Sequence, residues 1–246
     1  MFHSGCVRAI VRLPFSRMTM LSPTVLYRDA HLLAIDKPAG LPSQSTPDPG
    51  RDHAVAWVER LLQSENSASK PYVALHHRLD RDTTGVLLFA IHRDSNMGLS
   101  RAFAEHLAQK TYIAIVEMPG ASVPVSDEWT IDNFLAVKKV ARSGSRTDAV
   151  RSGGDRAVTH FRILQRGARV MVVQALPRTG RTHQIRAHLS QSGLPIVGDK
   201  LYGAGRGPWA ERVLLHALRL ELPHPVSRSP LTIEAPLPED MRRYMG

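Results

Sequence analysis

Cysteine is almost missing from this chain: Cys6 is the only one in 246 residues. An internal disulfide is therefore impossible, and a zinc site built on cysteines is excluded. This fits a reducing compartment and makes the cytoplasm the expected location. Also missing is any run of about 18 apolar residues, the length a membrane-spanning helix needs. No fixed-period repeat and no shift of composition divides the chain. Acidic residues are scarce beside basic ones: 22 Asp+Glu against 32 Lys+Arg, a net charge of +10 and a pI near 10.3. That balance suits a polyanionic partner, because each neutralised phosphate releases counterions. Without a spanning segment, nucleic acid is expected rather than membrane.

The first twenty residues contain Arg8, Arg12 and Arg17 and no acid. Their apolar patches are too short and broken for a secretory signal. Residues 1–21 are expected to be a disordered leader, followed by one domain over 22–246. At 43% hydrophobic residues the chain can bury a core. Thr24–Tyr27, Leu32–Ile35, Thr111–Glu117, Leu214–Leu220 and Leu231–Ala235 read as strands, and Val158–Leu164 with Ala168–Leu176 as a hairpin. The apolar spacing of Val55, Val58, Leu61 and Leu62 predicts a helix from His53. A second helix, capped by Asp94 or Ser95, is expected to bury Leu99, Ala102, Phe103 and Leu107. A third is expected from a Thr182 cap to about Ser192, stopping at Gly193. Residues 119–128 and 141–156 are poor in apolar side chains and read as loops. The second carries Arg142, Arg146, Arg151 and Arg156, suited to a phosphate backbone or to a solvated surface. Many strands with few helices between them predict an α+β fold around a mixed, mostly antiparallel sheet.

The most informative stretch is His76-His77-Arg78-Leu79-Asp80-Arg81-Asp82-Thr83-Thr84-Gly85. It runs directly into Val86-Leu87-Leu88-Phe89-Ala90-Ile91, an unbroken apolar run that reads as a strand covered on both faces. A charged loop fixed to a buried strand is a rigid mount for a reactive side chain. Two further stretches stand out, Asp36-Lys37-Pro38-Ala39-Gly40-Leu41 and Gly180-Arg181-Thr182-His183-Gln184-Ile185-Arg186-Ala187-His188.

In this order the three stretches resemble the signature motifs of the RluA-type RNA pseudouridine synthases. Lys110-Thr111-Tyr112 stands where that family carries a Lys-x-Tyr element, and the match covers roughly residues 24 to 236. One departure is Thr84, where the family usually has serine; both carry a hydroxyl. The resemblance implies a pseudouridine synthase fold with a cleft across the sheet, an RNA substrate (tRNA or rRNA), no cofactor and no metal. It also implies a stand-alone catalytic domain acting as a monomer. It makes Asp80 the catalytic carboxylate, Arg181 the guanidinium that keeps it ionised, and Arg78 the flat cation that fills the RNA stack. Tyr112 would be the platform for the flipped base, its phenol near the place where the C5 proton leaves. Lys110 and Lys37 are expected at the substrate, and Ile185 and Leu189 as pocket walls.

These residue types suit the reaction. Turning uridine into pseudouridine breaks N1–C1′ and joins C5 to C1′. A carboxylate beside C1′ can add to the sugar or take a proton from C2′. A neighbouring guanidinium keeps it ionised. A stacked uridine must be flipped out, and an aromatic platform for it is worth about 1–3 kcal/mol. Each residue has a plainer reading: Asp80 as a turn carboxylate, Arg181 as a surface residue before a helix, Tyr112 as a strand tyrosine, Ile185 and Leu189 as helix core, and Lys37 as a loop anchor. Two other functions stay open, a His/Asp phosphoester hydrolase and a non-catalytic RNA-binding protein. His183 and His188 are five apart, not the four that place two metal ligands on one helix face. Both histidines of the central loop, and Asp82, read as scaffolding.

Overall fold

The computed structural model describes residues 22–66, 69–118, 126–140, 144–203 and 210–245. The expected leader and Cys6 lie outside them. The apolar run after the charged loop forms the strand that organises the fold. Strand β4 (Thr84–Ala90) is buried at all seven positions. Leu87 and Phe89 join the larger hydrophobic cluster on one face of the sheet, and Val86, Leu88 and Ala90 join the smaller cluster on the other. Its antiparallel neighbour β2 (Leu32–Lys37) divides likewise, with Leu33 and Ile35 on the first face and Leu32 and Ala34 on the second.

Around them stand β1 (Thr24–Arg28), β3 (Ala74–Leu75), β5 (Gln109–Glu117), β6 (Glu128–Val140), β7 (Gly144–Val150), β8 (Asp155–Arg166), β9 (Val170–Pro177), β10 (Leu215–Pro223) and β11 (Pro230–Glu234). They form one sheet in the order β1-β2-β4-β10-β5-β9-β8-β6-β7, with β11 on β10 and β3 on β4. Every pairing is antiparallel except β4 with β10. At that parallel contact only glycine fits. Gly85 has φ 108°, and a Cβ there would meet the Ala217 carbonyl oxygen at 2.2 Å. The loop carrying Asp80 therefore enters the centre of the sheet through a position closed to other residues. The helices are α1 (Ala54–Glu65), α2 (Ser95–Ala104), α3 (Gln184–Gln191) and α4 (Glu239–Arg242).

Several expectations are corrected. Residues 144–150 and 155–156 are strand, not loop; residues 141–143, Arg142 among them, lie outside the described residues. Gly, Ser and Arg are poor strand formers, but ladders with β6 on both sides supply the order that propensity does not. Arg156 pairs with Asp132, and Arg146 with Asp148, rather than standing free. Leu107 lies beyond the end of α2 and is 46% exposed. Helix α3 starts after His183, not at a Thr182 cap, and the Thr182 hydroxyl accepts instead from Arg78 at 2.8 Å.

Candidate active site

The first motif holds the second in place. Ser43 Oγ donates to Leu79 O at 2.7 Å and accepts from Leu79 N at 3.0 Å, clamping the residue before Asp80. Lys37 is fully buried, and its Nζ donates to Pro38 O and Leu41 O at 2.8 Å and to Arg81 O at 2.9 Å. With its donors spent on two carbonyls of its own loop and one of Asp80's loop, Lys37 cannot meet a phosphate. Its expected substrate contact is corrected to an internal strut. Thr83 N closes the turn on Asp80 O at 3.2 Å. Thr84 Oγ1 lies 2.8 Å from the buried His216 Nδ1, so the hydroxyl that replaces serine's is in use.

Burial pushes the Lys37 amine down to about 7, against the opposing pull of Asp82 and Asp80. An unfolded lysine titrates near 10.4. Between about pH 7 and 10 the unfolded chain therefore binds more protons at this site than the folded one, so the site's contribution to stability rises with pH there and is flat below. Urea unfolding at pH 7 and 9.5 is expected to show wild type gaining stability relative to Lys37→Met at the higher pH. An unchanged difference would mean that Lys37 keeps its proton throughout.

Asp80 stands in a cleft of about 440 Å³, with its side chain 28% exposed. The cation bonded to it is Arg186, not Arg181. Arg186 Nη1 donates to Asp80 Oδ2 at 3.0 Å, while its Nε and Nη2 form a two-pronged pair with Asp199 at 2.7 and 2.9 Å. The fully buried Asp199 carboxylate also accepts from Leu201 N and Tyr202 N. Burial works against the Arg186 charge, but Asp199 and Asp80 outweigh it and raise its pKa. Arg181 lies in the same cleft, yet its Nε donates to Arg156 O at 3.1 Å and its Nη1 stands 3.9 Å from Asp155. The reason is the loop. The Gln184 side chain accepts from Arg181 N and from the Thr179 hydroxyl, and donates to Val158 O and Thr159 Oγ1. This ties the turn to β8 and aims Arg181 along the rim, while the first turns of α3 carry Arg186 inward.

Lys110 and Tyr112, from β5, line the same cleft, as do Arg78 and Ile185. Tyr112 is only 9% exposed, and burial together with the Asp80 charge raises its phenol pKa. Burial lowers the Lys110 amine, whose Nζ reaches Thr179 O at 3.4 Å. Leu189 is fully buried in the larger core cluster and does not line the cleft, which corrects its placement as a wall. His77 accepts from Leu88 N and stacks on Phe103; burial drives it down to about 3, so it is a neutral structural group. Among the described residues no three His, Cys, Asp or Glu side chains are grouped to hold a metal.

Two cleft residues were missed in the sequence, Arg186 and His183. His183 Nε2 stands 3.8 Å from Asp80 Oδ2. The fold supplies what was missing: Gln184–Leu189 are all buried, so the Arg186 charge has to be paired.

A partly exposed carboxylate held by a buried guanidinium, in a cleft across a mixed sheet and below a rim of arginines, defines an enzyme site for a polyanionic substrate. The profile of the RNA pseudouridylate synthase family matches residues 31–191. The chain is 41% identical to an uncharacterized RNA pseudouridine synthase of Zymomonas mobilis, over 90% of this chain and 97% of that one. It is 35% identical to ribosomal large subunit pseudouridine synthase D of Xanthomonas campestris (90% and 68% covered) and 34% to synthase C of Escherichia coli K12 (93% and 71%). The solved structure of human RNA pseudouridylate synthase domain containing 4 superposes with a TM-score of 0.72 at 25% identity, over 90% of this chain and 91% of that one. The chain belongs to the RNA pseudouridine synthase family, in its RluA-type branch, and is an isomerase that acts on RNA.

Proposed function

We propose that this enzyme isomerises particular uridines of large-subunit ribosomal RNA, with Asp80 as the catalytic carboxylate, as a monomer in the cytoplasm and without a cofactor. The observation that carries this reading is the Asp80–Arg186 pair at 3.0 Å in the cleft. Arg186 donates to the Asp80 carboxylate, and Asp199 holds Arg186, so the carboxylate is fixed before substrate arrives. Asp80 then adds to C1′ or takes the C2′ proton as N1 departs. Tyr112 bears the flipped base, with Ile185 beside it. Arg78 is exposed on the rim, bonded among the described residues only to the Thr182 hydroxyl, and enters the gap in the RNA. Arg181 and Arg178, beside it, meet phosphates. The two relatives named for the ribosomal large subunit favour that RNA over tRNA.

The test is to incubate the protein with 23S-type ribosomal RNA and with tRNA, each labelled with tritium at uridine C5. Label release with pseudouridine in an intact ribosomal strand is the expected result. Release from tRNA alone would move the target, strand scission would point to a hydrolase, and binding without release to an RNA-binding protein.

A further inference from the structure

Joining C5 to C1′ leaves a hydrogen on C5 that must depart, and N1 must gain one. This is a tautomerisation: the C5–H electrons become C5=C6, and the C6=N1 electrons receive a proton at N1. No external reagent is needed, only a group that accepts a proton near neutral pH and gives it back. Tyr112 is poorly suited, because burial and the Asp80 charge hold its phenolic proton tightly. Among the histidines lining the cleft, His77 Nε2 is taken by Leu88 N. Both nitrogens of His76 are engaged, with Asn96 and Ser100. His106 is exposed after α2, with no side-chain partner among the described residues.

His183 differs from them on two counts, its place beside Asp80 and the commitment of its other nitrogen. It lines the cleft beside Asp80, with Nε2 3.8 Å from Oδ2. Its backbone is left-handed, at φ 53° and ψ 20°, a conformation it shares with His106 at φ 58°. Its other nitrogen is committed. Nδ1 lies 3.2 Å from the Tyr202 hydroxyl, which accepts from Thr147 N and donates to Thr147 O. With that hydroxyl proton on Thr147 O, Nδ1 carries the ring hydrogen, and Nε2 presents its lone pair to the cleft. Burial lowers the imidazole pKa against the pull of Asp80 and Asp199 and with the help of Arg186 and Arg78, which favours the neutral ring.

We propose that His183 Nε2 accepts the uracil C5 proton after the C5–C1′ bond has formed and returns it to N1 of the same base. The inference rests on the reading of the Asp80 cleft as the site of isomerisation. During the transfer the imidazolium is stabilised by Asp80, a free carboxylate again once C5 has joined C1′ (having left C1′, or having returned its proton to C2′), and the ring is neutral again when N1 is protonated.

Single-turnover pseudouridine formation, measured on RNA carrying hydrogen or deuterium at uridine C5, tests it. Two variants are used. His183→Asn tolerates the left-handed backbone, and His183→Gly also leaves room for added imidazole. Expected are rates lower by about 10²–10³-fold with RNA affinity kept, and a primary deuterium isotope effect larger than in wild type. Added imidazole should restore His183→Gly in proportion to its free-base form. Wild-type rates in either variant overturn the proposal. So do slow variants that show neither the isotope effect nor the imidazole response, since that marks a merely structural role. An isotope effect raised in Lys110→Met and not in the His183 variants would assign the proton to Lys110. A wild type that forms no pseudouridine would instead overturn the reading of the cleft itself.

Discussion

Asp80→Asn is expected to lower pseudouridine formation by about 10³-fold or more, with RNA affinity and the fold kept. A thousandfold loss corresponds to about 4 kcal/mol of barrier, a fair magnitude for a group that bonds to the substrate or takes its proton. The amide is nearly the same size and still accepts from Arg186 Nη1, so the loop clamped by Ser43 and Lys37 has no reason to move. Arg186 keeps its stronger two-pronged partner, Asp199. Because the Asp80 side chain is 28% exposed, the lost ion pair is expected to cost about 1 kcal/mol or less. In a chain of this size that is a shift of about 4 °C or less in Tm. Calorimetry, RNA binding and single-turnover rates on the same preparation decide it. Activity within tenfold of wild type would remove Asp80 from the chemistry.

Arg186→Met is expected to remove activity and stability together. Asp199 has no exposed side-chain surface, and without the guanidinium it keeps, among the described residues, the amides of Leu201 and Tyr202 as its hydrogen-bond donors. Stranding a buried charge costs about 3–5 kcal/mol, or a fall of about 6–20 °C in Tm. Adding Asp199→Leu removes the stranded charge and should recover much of the Tm without recovering activity, a non-additivity diagnostic of a shared network. Arg181→Ala, which touches neither carboxylate of that pair, should leave Tm unchanged and weaken RNA binding. A normal Tm for Arg186→Met, or a collapsed one for Arg181→Ala, would reverse their assignments.

The exchange of Arg181 for Arg186 shows how far the sequence could be read. Both arginines lie in one nine-residue motif, and both precede or begin a helix. Which one meets Asp80 depends on where the helix starts, and that was set by Gln184 bonding back to the 179–181 turn, with His183 left-handed, rather than by Thr182 as a cap. Lys37 was ambiguous for the same kind of reason. A lysine beside a proline-rich loop looks exposed until the loop folds over it and three carbonyls converge on its amine. The strand at 144–150 was illegible because its residues have little strand preference, and its order comes from the partner strand β6. By contrast β4 was plain, because an apolar residue at every position has no wet side in any packing.

The family, the α+β class, the central buried strand and the loop that presents Asp80 are all legible in the unfolded chain. Those depend on residue order and local pattern, which are one-dimensional quantities. Which charges neutralise each other is a property of the folded chain alone. Asp80 lies 106 positions from Arg186 and Asp199 lies 13 beyond it, and their pairing follows from helix phase, turn geometry and burial, which leaves the fully buried Asp199 in need of a cation.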